Sequence, residues 1–165
     1  MEFKKDDIVI VNPLKIKRWI IDELEASIVL YFTGASRSSA AIIDEQKKNT
    51  SLGNSVAIVA MHKIKQSAID MKLALLKGDM HEFARILGEG WENKKRMANA
   101  ITNSTIQKAF DVAISAGAIA GKVSGAGGGG FIMFVVEPTK KKDVINALAK
   151  LDGFVMPFQF SDGGA

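Results

Sequence analysis

The sequence contains no cysteine, which excludes a disulfide scaffold and any thiolate metal centre and fits a reducing compartment. It has only two histidines, His62 and His81. They lie far apart with no neighbouring ligand pattern, so both read as helix-surface residues and no metal site is expected. Aromatic residues make up 7% of the chain, and no strip interleaves them with basic residues as single-strand nucleic-acid binding requires. No apolar run approaches the roughly 20 residues of a membrane helix. The charged start Met1-Glu-Phe-Lys-Lys-Asp-Asp does not read as a signal peptide. A cytoplasmic protein with no nucleic-acid or membrane partner is therefore expected. The net charge of +4 suits an anionic small substrate and is equally an ordinary surface balance. With 165 residues, 47% of them apolar and 24% charged, the chain is one soluble globular domain or one domain with a short extension.

Glycine is locally abundant. Lys122-Val-Ser-Gly-Ala-Gly-Gly-Gly-Gly-Phe131 places five glycines in six positions, between two short apolar runs, Ala118 to Val123 and Phe131 to Val136, that read as strands. The glycines thus connect a β-hairpin. Gly125-x-Gly127-x-x-Gly130 matches the dinucleotide-binding pattern as text, but that motif must open a helix, and a strand opens here. No Gly-Lys-Ser/Thr follows, so it is not a P-loop. Two readings remain: a flexible hairpin tip, or a nest of successive backbone N–H groups that receives an anion such as phosphate.

Along the chain, Ile8 to Val11 reads as a strand stopped by Pro13, and Lys15 to Ala26 as a short helix. Ser27 to Thr33 is the continuous apolar run of a central strand. Arg37 to Lys48 follows as a helix with Ser36 as its N-cap and Ala40 to Ile43 on its stripe. The junction gathers Thr33, Gly34, Ser36 and Arg37, hydroxyls and a guanidinium at a helix start. It is either an anion site or a capped helix with a solvent-facing arginine. Leu52, Val56, Val59, Ile64, Ala68, Met71 and Leu75 mark a long helix ended by Gly78. Asp79 and Glu82 open the next as a capping-box variant, with Phe83, Leu87 and Trp91 on its apolar face. Trp91 reads as core and Lys94 and Lys95 as solvated, the alternative being that they reach a substrate. Asn103 caps a helix through Ile106, Phe110 and Ile114, and Lys140 to Leu151 forms another before a strand over Phe154 to Phe160. From Ser27 onward this order predicts an α+β fold, a ferredoxin-like β-α-β-β-α-β sandwich with extra helices inserted in the first crossover.

The Lys122-to-Phe131 stretch resembles the third, C-terminal signature of the GHMP kinases, the superfamily of galactokinase, homoserine, mevalonate and phosphomevalonate kinases. Tyr31-Phe-Thr-Gly-Ala-Ser-Arg-Ser38 and Trp91-Glu-Asn-Lys-Lys95 are similar to segments of its branch acting on D-glycero-D-manno-heptose 7-phosphate. The resemblance covers nearly the whole chain but only the C-terminal half of such a kinase. It implies that residues 1–26 are a remnant of an N-terminal domain with a connecting helix, and that residues 27–165 are the C-terminal domain. It implies a sugar-phosphate substrate bound by Ser124, Gly125, Ala126, Gly127, Gly128, Gly129, Thr33, Gly34, Ser36 and Arg37, with Lys122 steadying the loop. ATP and Mg2+ would serve the complete enzyme. The family's Pro-x-x-x-Gly-Leu-Gly-Ser-Ser-Ala loop, which cradles ATP, has no counterpart in the sequence. That loop and the catalytic residue are expected in an N-terminal domain, on the same or a separate polypeptide, so this chain alone is expected to be inactive. The alternative is a stand-alone ferredoxin-like module that binds an anionic metabolite without catalysis. Oligomeric state stays open.

Overall fold

The computed structural model describes residues 1–34 and 39–161. A small hairpin, β1 (Glu2–Phe3) and β2 (Val9–Ile10), precedes helix α1 (Arg18–Ala26) and strand β3 (Ile28–Phe32). Four helices follow: α2 (Ser39–Ser51), α3 (Ser55–Lys77), α4 (Met80–Lys95) and α5 (Ser104–Ser115), with a 3-10 turn at Asn99–Ile101. Strands β4 (Ala118–Val123) and β5 (Phe131–Val136), helix α6 (Lys141–Leu148) and strand β6 (Phe154–Met156) complete the chain.

The main sheet runs β4-β5-β3-β6 with every neighbouring pair antiparallel. This is the ferredoxin-like order, with α2 to α5 filling the first crossover. Strand β3 is flanked on both sides, as its unbroken apolar run requires. Alternation along β5 divides the core. Ile132, Phe134 and Val136 pack with Ile106, Ala109, Ala113, Val144 and Leu148 of α5 and α6. Val135 packs oppositely, against Ala74 of α3 and Phe83, Ala84 and Leu87 of α4. Helices therefore cover both faces of the sheet.

The helix ends follow local chemistry. Asn54 accepts from Val56 and Ala57 N–H to start α3, and Gly78 ends it at φ +75°. Asp79 caps α4 through Glu82 N–H, but the Glu82 carboxylate pairs with Arg85 at 2.6 Å instead of closing a capping box. Several expectations need correction. The strand expected over Ile8 to Val11 is only Val9–Ile10, paired in a hairpin with Glu2–Phe3 across a turn that holds Asp7 at φ +56°. The α3 stripe is displaced: Ala57, Ala60 and Ala74 are buried, while Leu52, Val56 and Val59 are exposed. Small side chains let α3 lie close to its neighbours, so the alanine line faces inward. Of the α2 stripe only Ile42 is buried. Strand β6 stops at Met156 because Pro157 has no N–H to continue the ladder.

Candidate functional site

The β4–β5 hairpin opens into the glycine loop after Ser124 N–H donates to Phe131 O at 2.8 Å. The loop then folds back onto the domain. Gly128 N–H donates to Ile101 O at 2.8 Å, and Asn103 Nδ2 donates to Gly128 O at 3.0 Å. The same asparagine caps α5, its Oδ1 accepting from Ile106 N–H. At the other side, buried Thr33 exchanges two bonds with Gly130: its N–H donates to Gly130 O at 3.0 Å, and its Oγ1 accepts from Gly130 N–H at 3.1 Å. Gln46 Nε2 reaches Ala126 O at 3.5 Å, and Lys94 Nζ donates to Gly125 O. A loop tied to β3, α2, α4 and the start of α5 is not a flexible tip.

Gly127 shows why the sequence needs glycine. At φ +110°, a Cβ there would lie 2.7 Å from Ile101 O and 3.0 Å from Ile101 Cα. Only a residue without Cβ lets the loop backbone seat on the Asn99–Ile101 turn. With Gly128 and Gly130 N–H spent on protein acceptors, the N–H groups of Gly125, Ala126, Gly127 and Gly129 make no hydrogen bond to an acceptor among the described residues. Gly127 is buried, whereas Gly125, Ala126 and Gly129 reach the surface.

The structure brings Thr33 together with Gly125 to Gly130, two sequence segments read separately. Gly34 follows at φ +79° near Asp152 O. Ser36 and Arg37 lie outside the described residues. Ser124 is exposed beside the loop. Thr33 also lines a cavity of about 190 Å³ with Tyr31, Ser104, Lys108, Asp152 and Gly153. Inside it the buried Tyr31 hydroxyl accepts from Gly153 N–H at 2.9 Å. Burial pushes the Tyr31 phenol above its ordinary pKa, against the Gly153 bond that favours ionisation.

The residue that sequence reasoning placed elsewhere is Lys94. Trp91 is core, stacked on Phe110 with centroids 5.5 Å apart and planes 9° apart. Lys95 pairs with Glu92 at 2.7 Å. Lys94 turns to the loop, and burial, then the nearby Lys122 charge, lower its pKa. Spacing from Trp91 does not single it out, because Lys94 and Lys95 are both helical neighbours of that ring; the pairing of Lys95 with Glu92 and the Lys94 bond to the loop do. Among the described residues no group of three or more His, Cys, Asp or Glu side chains is placed to hold a metal.

A family profile described as GHMP kinases C terminal matches residues 71–152. Over 164 residues the chain is 47% identical to the D-glycero-alpha-D-manno-heptose 7-phosphate kinase of Campylobacter jejuni, covering 99% of this chain and 48% of that protein. The chain belongs to the GHMP kinase family. Among solved structures, a D-glycero-D-manno-heptose 1-phosphate kinase from Bacteroides thetaiotaomicron is 59% identical, with a TM-score of 0.68 over 96% of this chain and 40% of that one. A putative sugar kinase from Campylobacter jejuni is 43% identical, with a TM-score of 0.71 over 98% of this chain and 44% of that one. This GHMP chain thus spans about half the length of each of these relatives.

Proposed function

We propose that the chain is the C-terminal, substrate-side half of an ATP-dependent kinase that transfers the γ-phosphate of ATP to a heptose 7-phosphate or a similar sugar. The observation that carries this reading is the glycine loop, held rigidly with N–H groups of Gly125, Ala126 and Gly129 unspent. Fixed N–H dipoles of this kind stabilise phosphate charge without reorganising during transfer. The cavity beside Thr33 presents hydroxyls, an ammonium and a carboxylate, a mixed lining suited to sugar hydroxyls. Ser124, Gly34, Ser36 and Arg37 complete the phosphate and substrate contacts in this reading.

In the transfer, a sugar hydroxyl oxygen bonds to the γ-phosphorus while the bond from that phosphorus to the bridging oxygen of ADP breaks. The hydroxyl proton passes to a base that this chain does not supply. Among the described residues the groups bonded to the loop include no carboxylate, so the loop does not fit a Mg2+ ion, and no step is derived through the metal. We assign ATP binding and the base to a missing N-terminal domain. In this division, residues 1–26 carry the end of that domain and the connecting helix, and residues 27–165 form the C-terminal domain. The exposed β1–β2 hairpin, with Val9 and Val11 uncovered, accords with that partition. No helix among the described residues is long and apolar enough to cross a membrane, and we place the enzyme in the cytoplasm.

The test fuses the N-terminal part of the Campylobacter jejuni relative to this chain and follows ADP release with magnesium, ATP and heptose 7-phosphate or heptose 1-phosphate. Turnover by the folded fusion and none by the chain alone is expected. Arg37→Ala in the fusion should weaken sugar-phosphate affinity by about 1.5–3 kcal/mol, the worth of a charge-assisted hydrogen bond. A folded fusion that binds phosphate but turns over neither sugar would favour a non-catalytic anion-binding module instead.

A further inference from the structure

We propose that Lys94 and Lys122, with the N–H groups of Gly125, Ala126 and Gly129, form a single site for a phosphate group. The inference rests on the loop being the phosphate site of the proposed kinase half, and it assigns that site its cations.

The case begins with charge. Lys94 is half-buried in the last turn of α4, and its ammonium donates to Gly125 O. The carboxylates of its own helix are engaged elsewhere: Glu82 and Glu89 bond Arg85 at 2.6 Å and 2.5 Å, and Glu92 bonds Lys95 at 2.7 Å. Among the described residues no ion pair includes Lys94 or Lys122. Lys122 stands on β4 two residues after Ala120, on the sheet face that packs against α4, so both ammonium groups lie on the α4 side of the hairpin without an ion-pair partner among the described residues. Burial disfavours the charged form of Lys94, and the like charge of Lys122 disfavours it further.

Stability does not call for this arrangement. A neutral amide at position 94 could donate to Gly125 O without the desolvation cost of an ammonium. A half-buried cation with no ion-pair partner, set beside free N–H donors, marks a candidate anion site. The loop beside it offers unspent N–H donors, and Gly125 bears no close neighbour that would obstruct approach, since a Cβ there meets nothing within 4 Å. One phosphate can accept from both ammonium groups and the loop N–H groups together, replacing repulsion with attraction. Lys94 then has two roles, fixing the loop through Gly125 and contacting the anion, whereas Lys122 contributes charge alone.

That difference provides the test. The chain is titrated with inorganic tripolyphosphate, representing a nucleotide phosphate chain, and with mannose 6-phosphate, representing a sugar phosphate. Amide resonances of residues 124–130 and the lysine ammonium signals report binding. The preferred probe identifies which phosphate occupies the site. Lys94→Met and Lys122→Met should each weaken the preferred probe about ten-fold or more, and Lys94→Arg should recover much of the loss. Lys122→Met keeps the Gly125 bond, so its loss of affinity separates charge from loop positioning. Unaltered affinity in Lys122→Met and Lys94→Met, or unmoved loop amides in the wild-type chain at millimolar probe, would overturn the assignment. Turnover by the fusion stands independently of either result, so the kinase reading can survive the failure of this site.

Discussion

Replacing Gly127 by alanine should destabilise the domain, and by more than the same change at Gly125. Both glycines have positive φ, +110° and +74°, so each alanine stores backbone strain of about 1–2 kcal/mol or somewhat more. Their surroundings differ. A Cβ at Gly125 meets open space, whereas at Gly127 it lies 2.7 Å from Ile101 O. The contact is backbone against backbone and cannot be relieved by rotating a side chain. The loop must lift from the Asn99–Ile101 turn, and the Gly128 N–H bond to Ile101 O lengthens or breaks, a further loss of about 0.5–1.5 kcal/mol. The sum is about 1.5–3.5 kcal/mol for Gly127→Ala against about 1–2 kcal/mol for Gly125→Ala. In a domain of this size these correspond to melting temperatures lowered by roughly 3–14 °C and 2–8 °C. Urea unfolding of both variants followed by circular dichroism measures the difference directly. Equal losses at the two positions would refute the seating of the loop on Ile101. A flexible hairpin tip would tolerate a change at Gly127 without loss of folding stability; the buried contact with Ile101 predicts otherwise.

Asn103→Asp keeps the oxygen that caps α5 but cannot donate to Gly128 O, so it should cost about 0.5–1.5 kcal/mol. Asn103→Ala loses the cap as well and should cost about 1 kcal/mol more; an Asn103→Asp variant as stable as the wild type in urea unfolding would mean that the loop tether contributes nothing. For Tyr31 the sign follows from its raised pKa. The unfolded chain ionises first, near pH 10, so the phenol's contribution to stability is present below that pH and is lost as pH rises toward the folded value. Melting temperatures between about pH 9 and pH 11 should therefore fall more steeply for the wild type than for Tyr31→Phe; parallel slopes would refute it.

The order of elements was legible because strands and helices differ in period and because Gly78 and Asn103 mark ends by local chemistry. The same signals located the loop between two strands. What they could not show was the direction in which the loop folds, since that depends on Ile101 O and Thr33, remote in sequence and joined only in the fold. The α3 face was misplaced because Val56 and Val59 carry the apolar signal while the inward line is alanine, which periodicity underweights. Lys94 and Lys95 are indistinguishable as text. Burial of Trp91 and the pairing of Lys95 with Glu92 separate them.

The bonds between Thr33 and Gly130 join positions 97 residues apart, and that span bears on when the site comes into being. Closing so long a segment is entropically slow compared with forming α3 and α4 from neighbouring residues. During synthesis the anchored loop has no existence until β5 has emerged and paired with a strand made a hundred residues earlier. Partly folded chains can therefore hold most of their helices yet offer no ordered cradle to an anion. A phosphate ligand would bind the finished domain and not its precursors, shifting the population toward the completed fold by mass action.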